Sequence, residues 1–342
     1  RTPQLAALEQ HLATVINASA GRFVLLGGEA GVGKTSVVRQ FCAQQSIRVL
    51  SGACDALATP HPLGPYLDVA GATGGGLQEV IARKGQIARM VVASSMSIYG
   101  EGAYVDAAGR PASPGLRPDS QLEKREWELR DEAGRELRAI GTPETKPLLP
   151  TSVYAVTKRD HEELFLAVGN AYRIPTVALR YFNVYGSRQA LSNPYTGVAA
   201  IFSSRLLNGK PPLVTEDGLQ SRDFVHVSDI VRANLLALRC EAAGGRVCNV
   251  GTGRPTTIRR VGELLAERLG LSIRPEITER FRAGDIRHCF ADPIHAKRTL
   301  GFEASVRLED GIDEVIAFVR SQRPEDKVES AQAELARRGL SR

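Results

Sequence analysis

Apolar positions along the chain recur in two rhythms. Residues 5–16, 152–172, 257–269 and 310–320 place apolar side chains every three or four positions, the spacing that gives a helix one buried face. Residues 22–26 (RFVLL), 47–50, 88–93 (ARMVVA), 176–182 and 246–250 are short apolar runs, which read as strands. A further helix is expected over 35–44. Strands alternating with helices predict an α/β fold built on a doubly wound parallel sheet, covered on both faces. Residues 70–76 (AGATGGG) read as loop or linker. Residues 108–147 are polar, with Pro, Gly and many charges, and read as an insertion with little core. The character of the chain changes near 82–86, which predicts three parts: a strand–loop–helix segment over 1–85, a long α/β domain over 86–325, and a tail over 326–342.

The 342 residues suffice for one large domain or two ordinary ones. With 43% hydrophobic and 24% charged residues, disorder as the whole account is excluded. No run of about 18 apolar residues exists, so no membrane span is expected, and residues 1–10 lack the apolar stretch of a secretion signal. Five cysteines (Cys42, Cys54, Cys240, Cys248, Cys289) form no C-x-x-C pair. That argues against a metal site or disulfide scaffold and points to a reducing, cytoplasmic setting. The net charge of +6 suits small anionic ligands and gives little reason to expect nucleic acid as a partner.

Two motifs carry chemistry. The first, GEAGVGKT over 28–35, satisfies G-x-x-x-x-G-K-S/T after an expected strand and at the start of an expected helix. Gly28, Gly31 and Gly33 would let backbone N–H groups curl around a phosphate, Lys34 would reach the terminal phosphates, and Thr35 would hold Mg²⁺, so ATP with Mg²⁺ is the ligand expected here. Hydrolysis also needs an acidic residue closing a second apolar strand. The candidates, 47–50 and 90–93, run into serine and glycine instead. Residues 3–82, through GGEAGVGKTSVVRQF and GACDALATPHPLGPYLDVA, resemble the start of the ATPase module of LuxR-type transcriptional regulators. That resemblance implies a nucleotide-binding signalling module as the rival function.

The second motif is Tyr154-Ala155-Val156-Thr157-Lys158. Residues four apart share a helix face, so both side chains can meet one ligand. Tyrosine, with a free pKa near 10, is a poor base at neutral pH unless a nearby cation favours its phenolate. Alone, such a pair is usually a packed ring beside a solvated amine. The neighbours change the picture: ASSMSIYG over 93–100 puts hydroxyls at a strand's C-terminal end, and LRYFNVYG (179–186), SRDFVHV (221–227), CNVGTG (248–253) and GDIR (284–287) follow in order.

Over about 89–320 this ordered series resembles the extended short-chain dehydrogenase/reductase family, in its NAD-dependent nucleotide-sugar epimerase and dehydratase branch. The resemblance implies a Rossmann-like sheet with a small C-terminal α/β substrate-binding region, NAD as cofactor, a nucleotide-sugar substrate and a homodimer. It implies Tyr154 as catalytic base, Lys158 as the residue orienting the nicotinamide ribose, and Ser95 as hydrogen-bond partner of the reacting hydroxyl. Asn183, Arg222 and Arg287 match positions that contact the substrate's nucleotide or pyrophosphate, although a surface salt bridge is the better reading of either arginine taken alone. The dehydratases of the branch carry Asp-Glu after the catalytic Ser or Thr. Met96 and Ser97 stand there instead, which implies a 4-epimerase, an isomerase with no net redox change. The insertion and residues 188–197 (RQALSNPYTG) resemble the dTDP-L-rhamnose 4-epimerase group.

Family members open with a strand and a G-x-x-G-x-x-G turn for the dinucleotide. Here residues 71–76 (GATGGG) have the third glycine one place early and no ribose-reading strand after them. The 1–85 segment stands where the dinucleotide cradle is expected, so impaired NAD binding is expected.

Overall fold

A computed structural model describes residues 2–18, 40–42, 44, 81, 83–189, 197–281 and 284–321. Contacts divide the chain into two compact units, Arg1–Cys54 with Leu63–Leu77 and Asp55–Pro62 with Gln78–Arg342. In the first unit, helix α1 (Thr2–Ala18) covers the expected 5–16 helix; Pro3 sits in its first turn, where no N–H is needed, and Ala, Leu, Gln and Glu favour its interior. The GEAGVGKT loop, the strands expected at 22–26 and 47–50, the 70–76 linker and the 326–342 tail lie outside the described residues.

The strands of the second unit are β1 (Met90–Ser95), β2 (Ala103–Val105), β3 (Pro111–Ala112), β4 (Arg138–Ile140), β5 (Thr176–Tyr181), β6 (Asn183–Tyr185), β7 (Leu213–Val214), β8 (Ser221–His226), β9 (Val247–Val250), β10 (Pro255–Thr257), β11 (Glu276–Ile277) and β12 (His288–Cys289). Its helices are α2 (Asp119–Leu122), α3 (Val153–Tyr172), α4 (Val198–Leu207), α5 (Val227–Arg239), α6 (Ile258–Leu269), α7 (Ile294–Leu300) and α8 (Leu308–Ser321).

Strands β1, β5 and β9 form a parallel sheet in that order, with Val92 opposite Ala178 and Leu179 opposite Cys248. Val177 and Leu179 of β5 share a core with Ile230, Ala233 and Ala237 of α5, and α3 packs on β1 and β5. Ser152 caps α3 by accepting from the Ala155 N–H at 3.1 Å, and Arg173 ends it in the left-handed conformation at φ 58°. Near that end, a Cβ on Gly169 would lie 2.0 Å from Thr176 Oγ1, so only glycine lets α3 approach the start of β5. A second sheet joins β10, β8 and β12, with β6 also paired to β8. Helices α4, α6 and α8 build the C-terminal core around Phe202, Leu265 and Ile312. Asp223 on β8 ties this region to the β9 side by accepting from Thr252 N–H and Oγ1–H, Gly253 N–H and Ala291 N–H.

Residues 108–147 correct the expectation of an insertion with little core. β2, β3 and β4 form an antiparallel sheet over a cluster of Tyr104, Leu129 and Leu137. The polar side chains of this stretch partly face inward: Arg117 is buried against Glu216, and Lys146 donates to the Tyr99 carbonyl at 2.7 Å. Interior polar groups bonded to one another replace part of an apolar core here. Two turns of like sequence, Asp106-Ala-Ala-Gly-Arg110 and Asp131-Glu-Ala-Gly-Arg135, shape it. In each, the Asp carboxylate accepts from the N–H groups two and four residues on, and the Gly takes a positive φ of 78° or 76°.

Candidate active site

β1 delivers Ser95 to the C-terminal edge of the parallel sheet, and the chain turns there into a 3-10 turn, Met96–Tyr99, capped by Ser95. Ser95 Oγ accepts from the Ser97 N–H at 3.2 Å and from the Ser97 hydroxyl at 2.9 Å. Tyr154 lies in the first turn of α3, near enough to Ser95 for that hydroxyl to act on its phenol. Lys158, one turn on, donates to the Ala93 carbonyl at 2.9 Å, and its ammonium lies 6.0 Å from the centre of the Tyr154 ring. The three residues singled out by motif thus converge on one strand end. Tyr154 keeps 42% of its surface exposed, so its ring is open to a ligand.

The electrostatics differ from the sequence expectation. Burial pushes the Tyr154 phenol above the ordinary tyrosine range, and the Ser95 hydroxyl pulls the other way without cancelling it. Burial lowers the Lys158 ammonium. Lys158 is not among the groups that act on the phenol; its ammonium donates to the Ala93 carbonyl, 6.0 Å from the centre of the ring.

A buried ion pair holds the tyrosine helix in place. Glu162 continues the helix face of Tyr154 and Lys158, and its carboxylate accepts from Arg180 of β5 at 2.6 Å (Nη2) and 3.0 Å (Nε). Arg180 also donates to the Tyr99 hydroxyl at 2.7 Å and the Glu144 carbonyl at 3.1 Å, and Tyr99 donates to Asn249 Oδ1 at 2.8 Å. Burial works against the Arg180 charge, yet Glu162 and Tyr99 outweigh it and the guanidinium holds its proton more tightly than usual. Motif reading missed these residues, although the 154, 158, 162 spacing is a usable signal.

The expected substrate contacts separate into three cases. Asn183, at the start of β6, keeps its amide oxygen buried without a hydrogen-bond partner. Arg222 donates to the carbonyls of Ser221, Arg287 and Ile286 and, at 3.2 Å, to Asp285, with 11% of its side chain exposed. Arg287 is corrected: its side chain is fully enclosed. Nε donates to Glu128, Nη1 to Glu216 and Asp217, and Nη2 to Glu128 and Asp217, so all five guanidinium N–H groups are spent on carboxylates and none remains for a pyrophosphate. Around it, Glu101 accepts from the Arg287 and His288 N–H groups. His288 places Nδ1 2.8 Å from Ser221 Oγ and Nε2 3.1 Å from Glu128.

Glu128 gives this cluster a pH signature. Burial pushes its carboxyl up, but hydrogen bonds from His288 and Arg287 outweigh that and hold it at about 2. The folded value lies below the unfolded one of about 4.3. The stabilisation is therefore complete above that value and is lost as pH falls toward 2. Urea unfolding of the parent and of Glu128→Gln should show the parent's advantage at pH 5 shrinking by pH 3; a constant difference would deny the carboxylate this role.

Among the described residues, no helix is long and apolar enough to cross a membrane, and no group of three or more His, Cys, Asp or Glu side chains is arranged to hold a metal ion.

Comparison with known proteins places this geometry. The model of the NAD dependent epimerase/dehydratase family matches residues 132–251, and that of the AAA ATPase domain matches residues 1–132. The C-terminal part of the second match includes β1, which pairs with β5 in the larger unit. A dTDP-L-rhamnose 4-epimerase of Burkholderia thailandensis is 33% identical over 247 residues, which cover 72% of this chain and 67% of that protein. Two further 4-epimerases are spanned over little more than half their length, 56% and 58%. The UDP-glucose 4-epimerase of Thermotoga maritima, solved with UDP-glucose, superposes with a TM-score of 0.57 at 30% identity, covering 75% of this chain and 70% of that one. The UDP-glucose 4-epimerase of Thermus thermophilus, solved with NAD, gives a TM-score of 0.53 at 28% identity over 76% and 70% of the two chains. With the strand-end serine, the Tyr-Lys helix and two thirds of a curated 4-epimerase all represented in it, this chain belongs to the NAD dependent epimerase/dehydratase family.

Proposed function

We propose that the larger unit epimerises a nucleotide sugar at C4. The observation that carries this reading is the convergence of Ser95, Tyr154 and Lys158 at the C-terminal end of β1. In the proposed reaction Tyr154 accepts the proton of the C4 hydroxyl, Ser95 hydrogen-bonds the reacting oxygen, and Lys158 holds a positive charge beside the site. Asn183, with its unpartnered amide oxygen, and Arg222, at the edge of its cage, contact the nucleotide and diphosphate. Met96 and Ser97 offer no acid/base pair for losing water, which favours the epimerase over the dehydratase reaction.

NAD fits the reactive end of this site. Lys158 spends one N–H on Ala93, which leaves donors for a ribose, and the buried Ser94 hydroxyl beside it has no partner. When bound, NAD supplies a hydride acceptor for C4 and the return of that hydride to the other face of the keto-sugar. The glycine turn that would hold the adenosine end is not recognisable in the sequence, so weak NAD binding belongs to the proposal. A homodimer through the outer side of α3 is supported by Val153, Val156 and Leu164, exposed at 74%, 43% and 42%. A cytoplasmic setting agrees with the free thiols of Cys42, Cys240, Cys248 and Cys289.

The test is conversion of dTDP-L-rhamnose, UDP-glucose and UDP-glucuronate by the full chain with added NAD, followed by proton NMR. The 4-epimer of at least one is expected; none with any of the three would overturn the proposal, as would a product lighter by one water. A second reading, ATP binding by the N-terminal unit of LuxR type, is favoured by the AAA ATPase match. Titration calorimetry should find ATP·Mg²⁺ bound by the parent and lost in Lys34→Ala, with hydrolysis near background. Equal binding by both would remove the phosphate role of Lys34.

A further inference from the structure

Two lysines tie the stretches that carry Ser95 and Tyr154 to each other, one on each side of the pair. Ala93 precedes Ser95 and Tyr99 follows it; Lys146 precedes Tyr154 and Lys158 follows it. Lys158 donates to the Ala93 carbonyl at 2.9 Å, and Lys146 donates to the Tyr99 carbonyl at 2.7 Å. Ser95 and Tyr154 thus lie between two ammonium–carbonyl bonds that join the same two stretches. The first bond belongs to the site already described. The second has no part in the proposed reaction.

Lys146 is only 7% exposed. Its hydrogen bonds end on main-chain oxygens, those of Tyr99 and, at 3.2 Å, Pro147, so what they fix is the course of the backbone. The residues just before it are fastened on the β9 side. The Thr142 carbonyl accepts from Asn249 Nδ2 at 2.8 Å, and the Glu144 carboxylate accepts from the Asn249 N–H at 2.7 Å. Beyond Lys146 the chain runs to Ser152, the cap of α3. On the way the Leu149 carbonyl lies against Gly100, where a Cβ would collide with it. Gly100 also takes a positive φ of 66°, which glycine adopts freely. The strap leading into the tyrosine helix is therefore laid on the end of the serine turn, and Lys146 is the side chain that fastens it there.

We propose that Lys146 is a positioning residue, which pins the strap before the tyrosine helix to the last carbonyl of the serine turn and so sets the spacing of Ser95 and Tyr154. The proposal rests on the epimerase reading for its effect on turnover. Lys158 fixes the helix against the strand before Ser95; Lys146 fixes the approach to the helix against the turn after it. With one tie the two stretches can pivot about the other, and a displacement of about 1 Å at a reacting group can cost about 100-fold in rate.

Lys146→Met keeps the length of the side chain and removes its N–H groups. Hydrogen exchange of the full chain, read by mass spectrometry, should then quicken about tenfold or more at two places, the scale of one lost charge-assisted hydrogen bond. One is the start of α3, where Ser152 holds the Ala155 and Val156 N–H groups. The other is the serine turn, where the Ser97 carbonyl holds the Gly100 N–H. Exchange in α6 and α8 should stay as it was. A lysine that only added stability would quicken exchange there too, because amides exposed by global unfolding share its loss. Turnover of the nucleotide sugar should fall by about 10–100-fold with KM within about twofold, since geometry is lost and binding is not. Unchanged exchange at either place would overturn the proposal, and so would an equal quickening in α6 and α8, or turnover within about twofold of the parent.

If Lys146→Met does not fold, the parent decides through amine acylation. Opening of the strap must free Lys146 and the start of α3 together. Lys146 should therefore be protected, relative to the exposed Lys297, by the same factor as the Ala155 and Val156 amides, and by less than the core of α8. Acylation of Lys146 as fast as Lys297, or protection differing more than about tenfold from that of the two amides, would overturn the proposal. Exchange and acylation need neither NAD nor sugar, so an inactive parent would count against the epimerase reading and leave the tie measured.

Discussion

Tyr154→Phe should lower sugar interconversion by about 10²–10⁴-fold, the usual worth of a positioned general base, while binding of the nucleotide sugar stays within about twofold. The ring remains, and with it the packing at the start of α3; only the oxygen on which Ser95 acts is lost. Because burial holds that phenol above its ordinary range, the parent carries little phenolate at neutral pH, and its turnover should climb with pH toward the tyrosine's own midpoint. Initial rates from pH 6 to 9, together with calorimetry of the nucleotide sugar on both proteins, check this. Turnover in the phenylalanine variant within a few-fold of the parent would remove Tyr154 from the chemistry.

The largest effect on stability should come from Glu216→Gln. Glu216 is buried and accepts from Arg117 at 2.8 Å and 3.0 Å and from Arg287 at 2.9 Å. Arg287 keeps Glu128 and Asp217 when that charge is removed. Arg117 keeps only the carbonyls of Trp127 and Asp285 as hydrogen-bond partners, so it becomes a buried cation with no carboxylate bonded to it and only the more distant charge of Glu101 to offset it. Breaking such a pair costs about 3–5 kcal/mol, whereas replacing both members by apolar groups of similar size is often close to neutral. Urea unfolding followed by Trp127 emission reads the cluster directly, because Trp127 is the chain's one tryptophan. Arg117→Met in the same chain should recover most of the loss. A loss below about 1 kcal/mol in Glu216→Gln would mean that water already reaches the pair.

Periodicity located α3, β1, β5, β9, α6 and α8 within a few residues, because each keeps one rhythm over its whole length. It passed over β8, every residue of which is buried: Ser221, Arg222 and Asp223 look polar in sequence, and each has a partner 63–68 positions away, while His226 meets Glu314. It passed over the β2–β4 sheet for a related reason. Arg117 and Lys146 read as solvated until Glu216 and the Tyr99 carbonyl are brought to them. The two D-x-A-G-R turns were legible there and would have revealed hairpins. At the site, Ser95, Tyr154 and Lys158 could be named because their spacing is local. Arg287 could not be placed from its motif, since what encloses it is the folding-in of Glu128 from 159 residues upstream.

Arg180 carries a consequence for how the site comes into being. Its guanidinium joins residues 18, 36 and 81 positions distant, and Tyr99 extends the same net to Asn249 across 150 more. Closing loops of that length spends chain entropy before any bond rewards it. α3 can form early from its own sequence, but its address on the sheet is decided only when these distant strands have met. Catalytic geometry in this chain is accordingly a late product of folding. A nascent chain that has already built its tyrosine helix lacks the last anchor of this net until Asn249 has been made and meets Tyr99.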